Sequence, residues 1–383
     1  MCGRIVRILL SVIVGAVLVG PCDGAARAAE RPTAVAAVWQ QVGLAEHAIG
    51  GMSTPASGAL FARADRELWR SDDAGLSWRP VPLPAGIFLA PRIYVDPHDH
   101  TTLYVQMART IGPDDIRDPV MRSRDEGASW QVILPSSWAA ADAEGIYLSE
   151  AQSGLLYARQ KAGQLRRSDD GGDTWVELSA PRIPHPTTRI GCVEYYQFFP
   201  HPTHADVIYR VSTCRVNNVT DAHTELPYAT HVSRDRGESW SPLTPSPFRS
   251  VYASLIGCGA TAPDRLYLMD REIDGVSPPS LAPTVLLRSD DSGQTWRMVR
   301  SGEDSGKERT EQLVCDPTRP DRVFLLRSER QAAELRGSGD AGQTWNVVSL
   351  PAGVKVNSMA AGVDGRYLFL ASGTGVWRLP LTD

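Results

Sequence analysis

Two sets of residues in this chain carry groups that could do chemistry. The first is a recurring carboxylate. Asp73, Asp125, Asp170, Asp235, Asp291 and Asp340 each follow a serine by two places and precede a glycine by two. Each also stands five places ahead of a tryptophan (Trp78, Trp130, Trp175, Trp240, Trp296 and Trp345), in the pattern Ser-x-Asp-x-Gly-x-Ser/Thr-Trp. Carboxylates cleave glycosidic bonds in pairs, at separations of about 5–10 Å around one sugar. Six equivalent aspartates recurring every 45 to 65 residues cannot converge on one substrate. Turn architecture accounts for them directly: the glycine supplies a positive φ, and the carboxylate accepts bonds from the turn's amides and from the flanking hydroxyls. The closing tryptophan starts the next strand and buries its ring. No catalytic residue is therefore assigned.

The second set is irregular: Arg182, His185, Arg189, Glu194 and Tyr196, followed by Arg215, Asp221 and His223. Charged and aromatic groups gathered on long loops and the strand they lead into can hold a ligand through hydrogen bonds and ion pairs. Solvated loop charges make the same pattern on an exported surface. The expectation is a ligand-binding role for this set.

The elements that must position these residues repeat with the aspartates. Ahead of each hairpin motif lies an apolar strand entered through a turn rich in Pro or Asp, such as Asp96-Pro97 before 103–105 and Asp316-Pro317 before 323–325. Short alternating strands with turn signals between them indicate antiparallel sheet, four strands to each unit. Six motifs give six units, and the chain ends give a seventh. Residues 367–370 and 375–379 copy its middle strands, and a strand at about 37–43 copies the outer strand that each motif leads into. The expected fold is all-β: a seven-bladed β-propeller of four-stranded antiparallel blades over 36–383, closed by the N-terminal strand on the C-terminal blade.

Strand order within a blade, A to D from the axis outward, puts the A–B turns and the repeated C–D hairpins on one face. The B–C and D–A connections share the other, and variable loops on a rigid scaffold are where binding resides. Long B–C loops are expected at 213–231, 109–121, 270–283 and 327–336, with the longest D–A connection entering blade four.

The motif resembles the Asp box, or BNR repeat, of sialidases, two-propeller xyloglucanases and the sortilin ectodomain, and the resemblance covers the chain after about residue 38. It implies a propeller and leaves function open, since such proteins include hydrolases and pure binders. Pro181-Arg182-Ile183-Pro184 is similar to a sialidase signature, but it follows the third motif where that family places it before the first. Those domains also resemble six-bladed rings, against seven here. Ala62-Arg63-Ala64-Asp65 is similar to the stretch around the first catalytic aspartate of the xyloglucanases, without the second propeller that carries the other carboxylate. In size and blade number the chain also resembles the photosystem II assembly factors, exported propellers without catalysis. The resemblances imply a binding or scaffold propeller for a protein or carbohydrate ligand, with a sialidase-like glycoside hydrolase acting at the axial pocket as the alternative.

Residues 1–29 read as a secretory signal: Arg4 and Arg7, an apolar run over 8–19, then small residues around Ala28. The expectation is a secreted or periplasmic monomer with no stable membrane span. The formal net charge of −5 gives no basis for nucleic-acid binding. Eight histidines without metal-ligand spacing, and no Cys-x-x-Cys, call for no cofactor or metal. Cys192 and Cys214 lie symmetrically about position 203, the centre of an A–B turn, so a disulfide across that hairpin is expected. Cys258 and Cys315 each precede an Asp-Arg pair by six residues, in neighbouring units, and either bridge the blades or stay reduced.

Overall fold

The computed structural model describes residues 38–55, 58–64, 67–84, 92–106, 119–134, 146–159, 165–179, 181, 192–216, 224–225, 229–250, 253–271, 284–301, 309–329 and 332–381. They form seven separate antiparallel sheets arranged as a β-propeller. Blade one holds strands Ile49–Ser53, Leu60–Ala64, Glu67–Ser71 and Arg79–Val81, and the same order recurs in blade two (92–134), blade three (146–178), blade five (254–301) and blade six (309–348). Blade four (192–242) departs from the four-strand expectation, because Thr224–Glu225 pairs with the far end of Ile208–Val216 as a fifth strand.

Blade seven closes the ring. Strands Val356–Ala361, Tyr367–Ser372 and Gly375–Pro380 receive Gln40–Gly43 as their outer strand, in the register Gln40↔Arg378 and Gln41↔Trp377. The Trp39 indole donates to the Ser349 carbonyl at 2.7 Å, so it reaches back to blade six as Trp78, Trp130 and Trp175 reach the carbonyls of Val42, Pro82 and Ile133 in their preceding blades. Closure removes one sheet edge that an open array would leave exposed.

The core is divided among the interfaces between blades. Val42, Ile49, Leu60, Ala62, Phe369 and Val376 fill the space between blades seven and one, while Phe61, Leu68, Val81 and Leu103 fill that between one and two. Comparable clusters occupy the other five interfaces. A middle strand is therefore covered on both faces, and Leu103–Gln106, Leu156–Arg159 and Thr284–Ser289 are buried at every position. The alternation expected from the sequence gives way there to continuous burial, as in any sheet sandwiched between layers.

The innermost strands are latched by side chains. The Gln312 carboxamide bonds both the N–H and the C=O of Met359, joining blades six and seven. Asn357 donates to the Ile49 carbonyl, joining seven to one. Cys258 and Cys315 form a disulfide between blades five and six, with Cα atoms 5.1 Å apart. Cys192 and Cys214 do not face each other: the hairpin register sets Cys192 opposite Val216 and Cys214 opposite Glu194. The turn is centred one residue later than the symmetry argument assumed, which offsets the two cysteines diagonally. Their side chains lie outside those described.

Candidate functional site

On the face carrying the C–D hairpins, all six motifs have one geometry. In the first, Ser71 Oγ donates to Asp73 Oδ1 at 2.8 Å and accepts the Gly75 amide at 2.8 Å. Asp73 Oδ1 also accepts the Ser77 amide, and Oδ2 accepts the Ser77 hydroxyl at 2.6 Å. The same set recurs around Asp125, Asp170, Asp235, Asp291 and Asp340. Hydrogen bonds to the charged form lower a carboxyl pKa. The hydroxyl, then the amide, of Ser77, Ser129, Ser239 and Thr344 hold Asp73, Asp125, Asp235 and Asp340 down at about 2. Burial raises Asp170 and Asp291, but Thr174 and Thr295 outweigh it and both remain below the usual range. Such carboxylates are fixed acceptors and are poorly matched to proton transfer near neutral pH.

Two consecutive residues at each tip have positive φ, which the glycine alone did not predict. Ala74, Glu126, Arg236, Ser292 and Ala341 precede Gly75, Gly127, Gly237, Gly293 and Gly342 in that conformation, and Gly171 precedes Gly172. The turned-out carbonyl then meets the previous blade. Arg122 donates to Gly171 O and Asp173, Arg167 to Arg236 O and Glu238, Arg288 to Ala341 O, and Arg378 to Ala74 O. Arg70, held to 5% exposure, reaches Glu126 instead. This face is thus tied from blade to blade by its own groups.

One A–B turn is built differently. Asp96 and Asp316 accept amides two and three residues ahead, and in blade four His201 Nδ1 does the same for Thr203 and His204. Only the neutral ring can accept at that nitrogen. Burial, reinforced by His204, lowers the His201 pKa to about 4, so the ring is neutral at physiological pH.

The opposite face is uneven. Its B–C connections span 107–119, 217–228 and 272–283 on blades two, four and five, but only 65–66, 160–164, 330–332 and 373–374 on blades one, three, six and seven. The D–A connections leading into blades two to five (82–91, 135–145, 179–191 and 243–253) are long, whereas those leading into blades six, seven and one (302–308, 349–355 and 44–48) are short. The loop expected at 327–336 is a correction, since Val323–Glu329 and Ala333–Ser338 are strands with Arg327 and Arg336 inside them. In blade four the strands run on to Val216 and resume at Ala229, which shortens the expected 213–231 loop.

Of the expected binding residues, Arg182, His185, Arg189, Asp221 and His223 lie outside the described residues. Glu194 and Arg215 are placed by backbone register only, opposite Cys214 and Val193. Tyr196 is described fully. Its ring lies between two buried guanidiniums, 4.6 Å from Arg159 of blade three and 5.2 Å from Arg210 of its own blade, and its carbonyl accepts from Arg159. Arg210 is 1% exposed and also bonds Ser212. Burial, then Arg210, lowers the pKa of His231 on the adjoining strand. Sequence reasoning singled out Tyr196 without its two neighbours, Arg159 and Arg210. Their signal was a charged residue inside an apolar middle strand, a placement that is rare without partners.

No family model and no curated protein sequence matches the chain. Solved structures do. The GH74 xyloglucanase of Xanthomonas campestris superposes with a TM-score of 0.56 at 18% identity, over 89% of this chain and 53% of its own. This chain thus spans about half the length of that enzyme. A YCF48 structure bound to D1 peptide matches at 0.53 and 16% identity, over 92% of this chain and 100% of its own. A PL25 ulvan lyase matches at 0.53 and 14%, over 89% and 96%. These likenesses establish the class, a seven-bladed β-propeller, whose neighbours include carbohydrate-active enzymes and a peptide-bound protein.

Proposed function

We propose that this chain is an exported, non-catalytic binding propeller that takes a protein or glycan ligand on its loop-bearing face. The observation that carries this reading is the division of labour between the two faces. One is tied up in repeated local and inter-blade bonds, and the other holds all its long connections over blades two to five. Long connections on one side of the ring and short ones on the other suit a linear ligand lying across the axial mouth. Tyr196, between Arg159 and Arg210, sits on the innermost strand of blade four, one of the blades with long connections. The peptide-bound YCF48 neighbour supports such use of the fold, and residues 1–29 support export. The test is capture of ligand by the immobilised chain lacking 1–29 from a peptide-display library and a glycan array. Binding that Tyr196→Ala weakens at least tenfold is expected. Absence of any ligand, or turnover of fluorogenic glycosides that Glu194→Gln abolishes, would replace this reading with the hydrolase.

A further inference from the structure

On the side of the ring with short connections, blade one presents a cation with no counter-charge among the described residues. Arg63 lies opposite Gly51, next to a bulge between Ile49 and Gly51 on the innermost strand. Its guanidinium is laid over the two glycines. A Cβ on Gly50 would meet Nη2 at 3.3 Å and Cζ at 3.7 Å, and one on Gly51 would meet Nη2 at 3.8 Å and Nε at 3.9 Å. The absence of side chains at 50 and 51 is what lets the fork rest there. Arg70 and Arg79 of the same blade pair with Asp72 and Glu126. Arg63 makes no hydrogen bond or ion pair among the described residues, although it is half-buried.

The surroundings select the ligand. Strand Ile49–Ser53 is paired only on the side of Leu60–Ala64, so its other edge borders the axis. The Ile49 carbonyl is occupied by Asn357, which fixes the strand against blade seven, while Gly50 is exposed and Gly51 half-buried. On this face the connections within and between blades seven and one are the short 44–48, 65–66 and 373–374, and the longer 82–91 leads from blade one to blade two. A bare glycine edge offers main-chain donors and acceptors to a second extended backbone, and an arginine fork above it offers paired bonds to a carboxylate. A sugar ring would instead seek an aromatic platform. Trp69, the ring on the adjoining strand, pairs with Ala62 and so belongs to the other face of the sheet, where it packs toward blade seven.

We propose that Gly50, Gly51 and Arg63 form a receptor at the axial mouth for an extended acidic peptide, whose carboxylate takes the Arg63 fork. This rests on the loop face being the working face and narrows its ligand to a peptide. Fluorescence anisotropy with a labelled (Gly-Glu)5 peptide, its (Gly-Gln)5 counterpart and trigalacturonate tests it. The unaltered chain should prefer (Gly-Glu)5 over (Gly-Gln)5. Arg63→Gln should abolish that preference with at least a tenfold loss, Arg63→Lys should keep part of it, and Gly50→Val should weaken binding with the arginine retained. Unchanged melting temperature in Arg63→Gln and Arg63→Lys separates binding from folding. Equal binding of the two peptides, indifference to Arg63→Gln, or Arg63-dependent binding of trigalacturonate alone would overturn the proposal. A ligand captured by the loop face but unaffected by Arg63→Gln sinks this inference alone, whereas no captured ligand at all sinks the broader reading.

Discussion

Asp73 and Arg63 belong to the same blade and illustrate opposite treatments of charge. The Asp73 carboxylate has both oxygens bonded within four residues of itself, and the carbonyl beside it is taken by Arg378 of blade seven. Arg63, toward the other face, lies over two glycines without a counter-charge among the described residues. A group whose partners are supplied by its own turn contributes to stability and has little capacity left for a ligand. A group left unpaired at a rim contributes little to stability and keeps its capacity to bind. Substitutions on the turn face should therefore register in stability, and substitutions on the rim in affinity.

The largest effect should come from Gly127→Val. A Cβ there would collide with the Pro82 carbonyl oxygen and lie 2.9 Å from Val81 Cγ1, at a φ of 91° that β-branched residues avoid. A loss of about 4 kcal/mol in urea unfolding is expected, and a loss below about 1 kcal/mol would break the claim that this face is rigid.

Acid should act next, in two stages. Folding keeps the His201 ring neutral by lowering its pKa from 6.5 to about 4, so the unfolded chain binds the extra proton first. The stability this provides is complete above pH 6.5 and falls away as pH drops toward 4, by about 3 kcal/mol. His201→Asp, which restores the acceptor used at Asp96 and Asp316, should flatten that window in unfolding measured from pH 7 to 4. The motif carboxylates, depressed from 3.8 to about 2, hold their contribution above pH 3.8 and lose it on further acidification.

A single turn hydroxyl should matter less. Ser123 Oγ is buried, accepts the Gly127 amide and donates to Asp125. Ser123→Ala leaves that amide unsatisfied and should cost about 1–2 kcal/mol by the same unfolding assay. Smallest of all is Arg63→Gln, expected to change stability by less than about 0.5 kcal/mol while altering peptide binding. A large destabilisation there would mean that the two faces do not treat charge differently.

The blade count, the ring closure by a strand near Gln40 and the turn role of the six aspartates could all be read from the chain, because their partners lie within a few residues or follow a repeat. Ser71, Asp73, Gly75 and Ser77 encode one another's bonds by spacing alone. The continuous burial of Leu103–Gln106 could not be read that way, since it needs a neighbour on each side. Neither could the pairing of Cys258 with Cys315, the diagonal offset of Cys192 and Cys214, or the reach of Arg122 to Gly171. Each depends on the register of a hairpin or the stacking of one blade on the next, so a shift of one residue changes which groups meet. The same holds for Arg63: its sequence neighbours mark it as an ordinary strand residue, and only the packing of Leu60–Ala64 beside a glycine-bearing inner strand leaves it at the axial mouth without a partner among the described residues. Local bonding is set by spacing along the chain, whereas the proposed binding face is set by contacts between residues far apart in it.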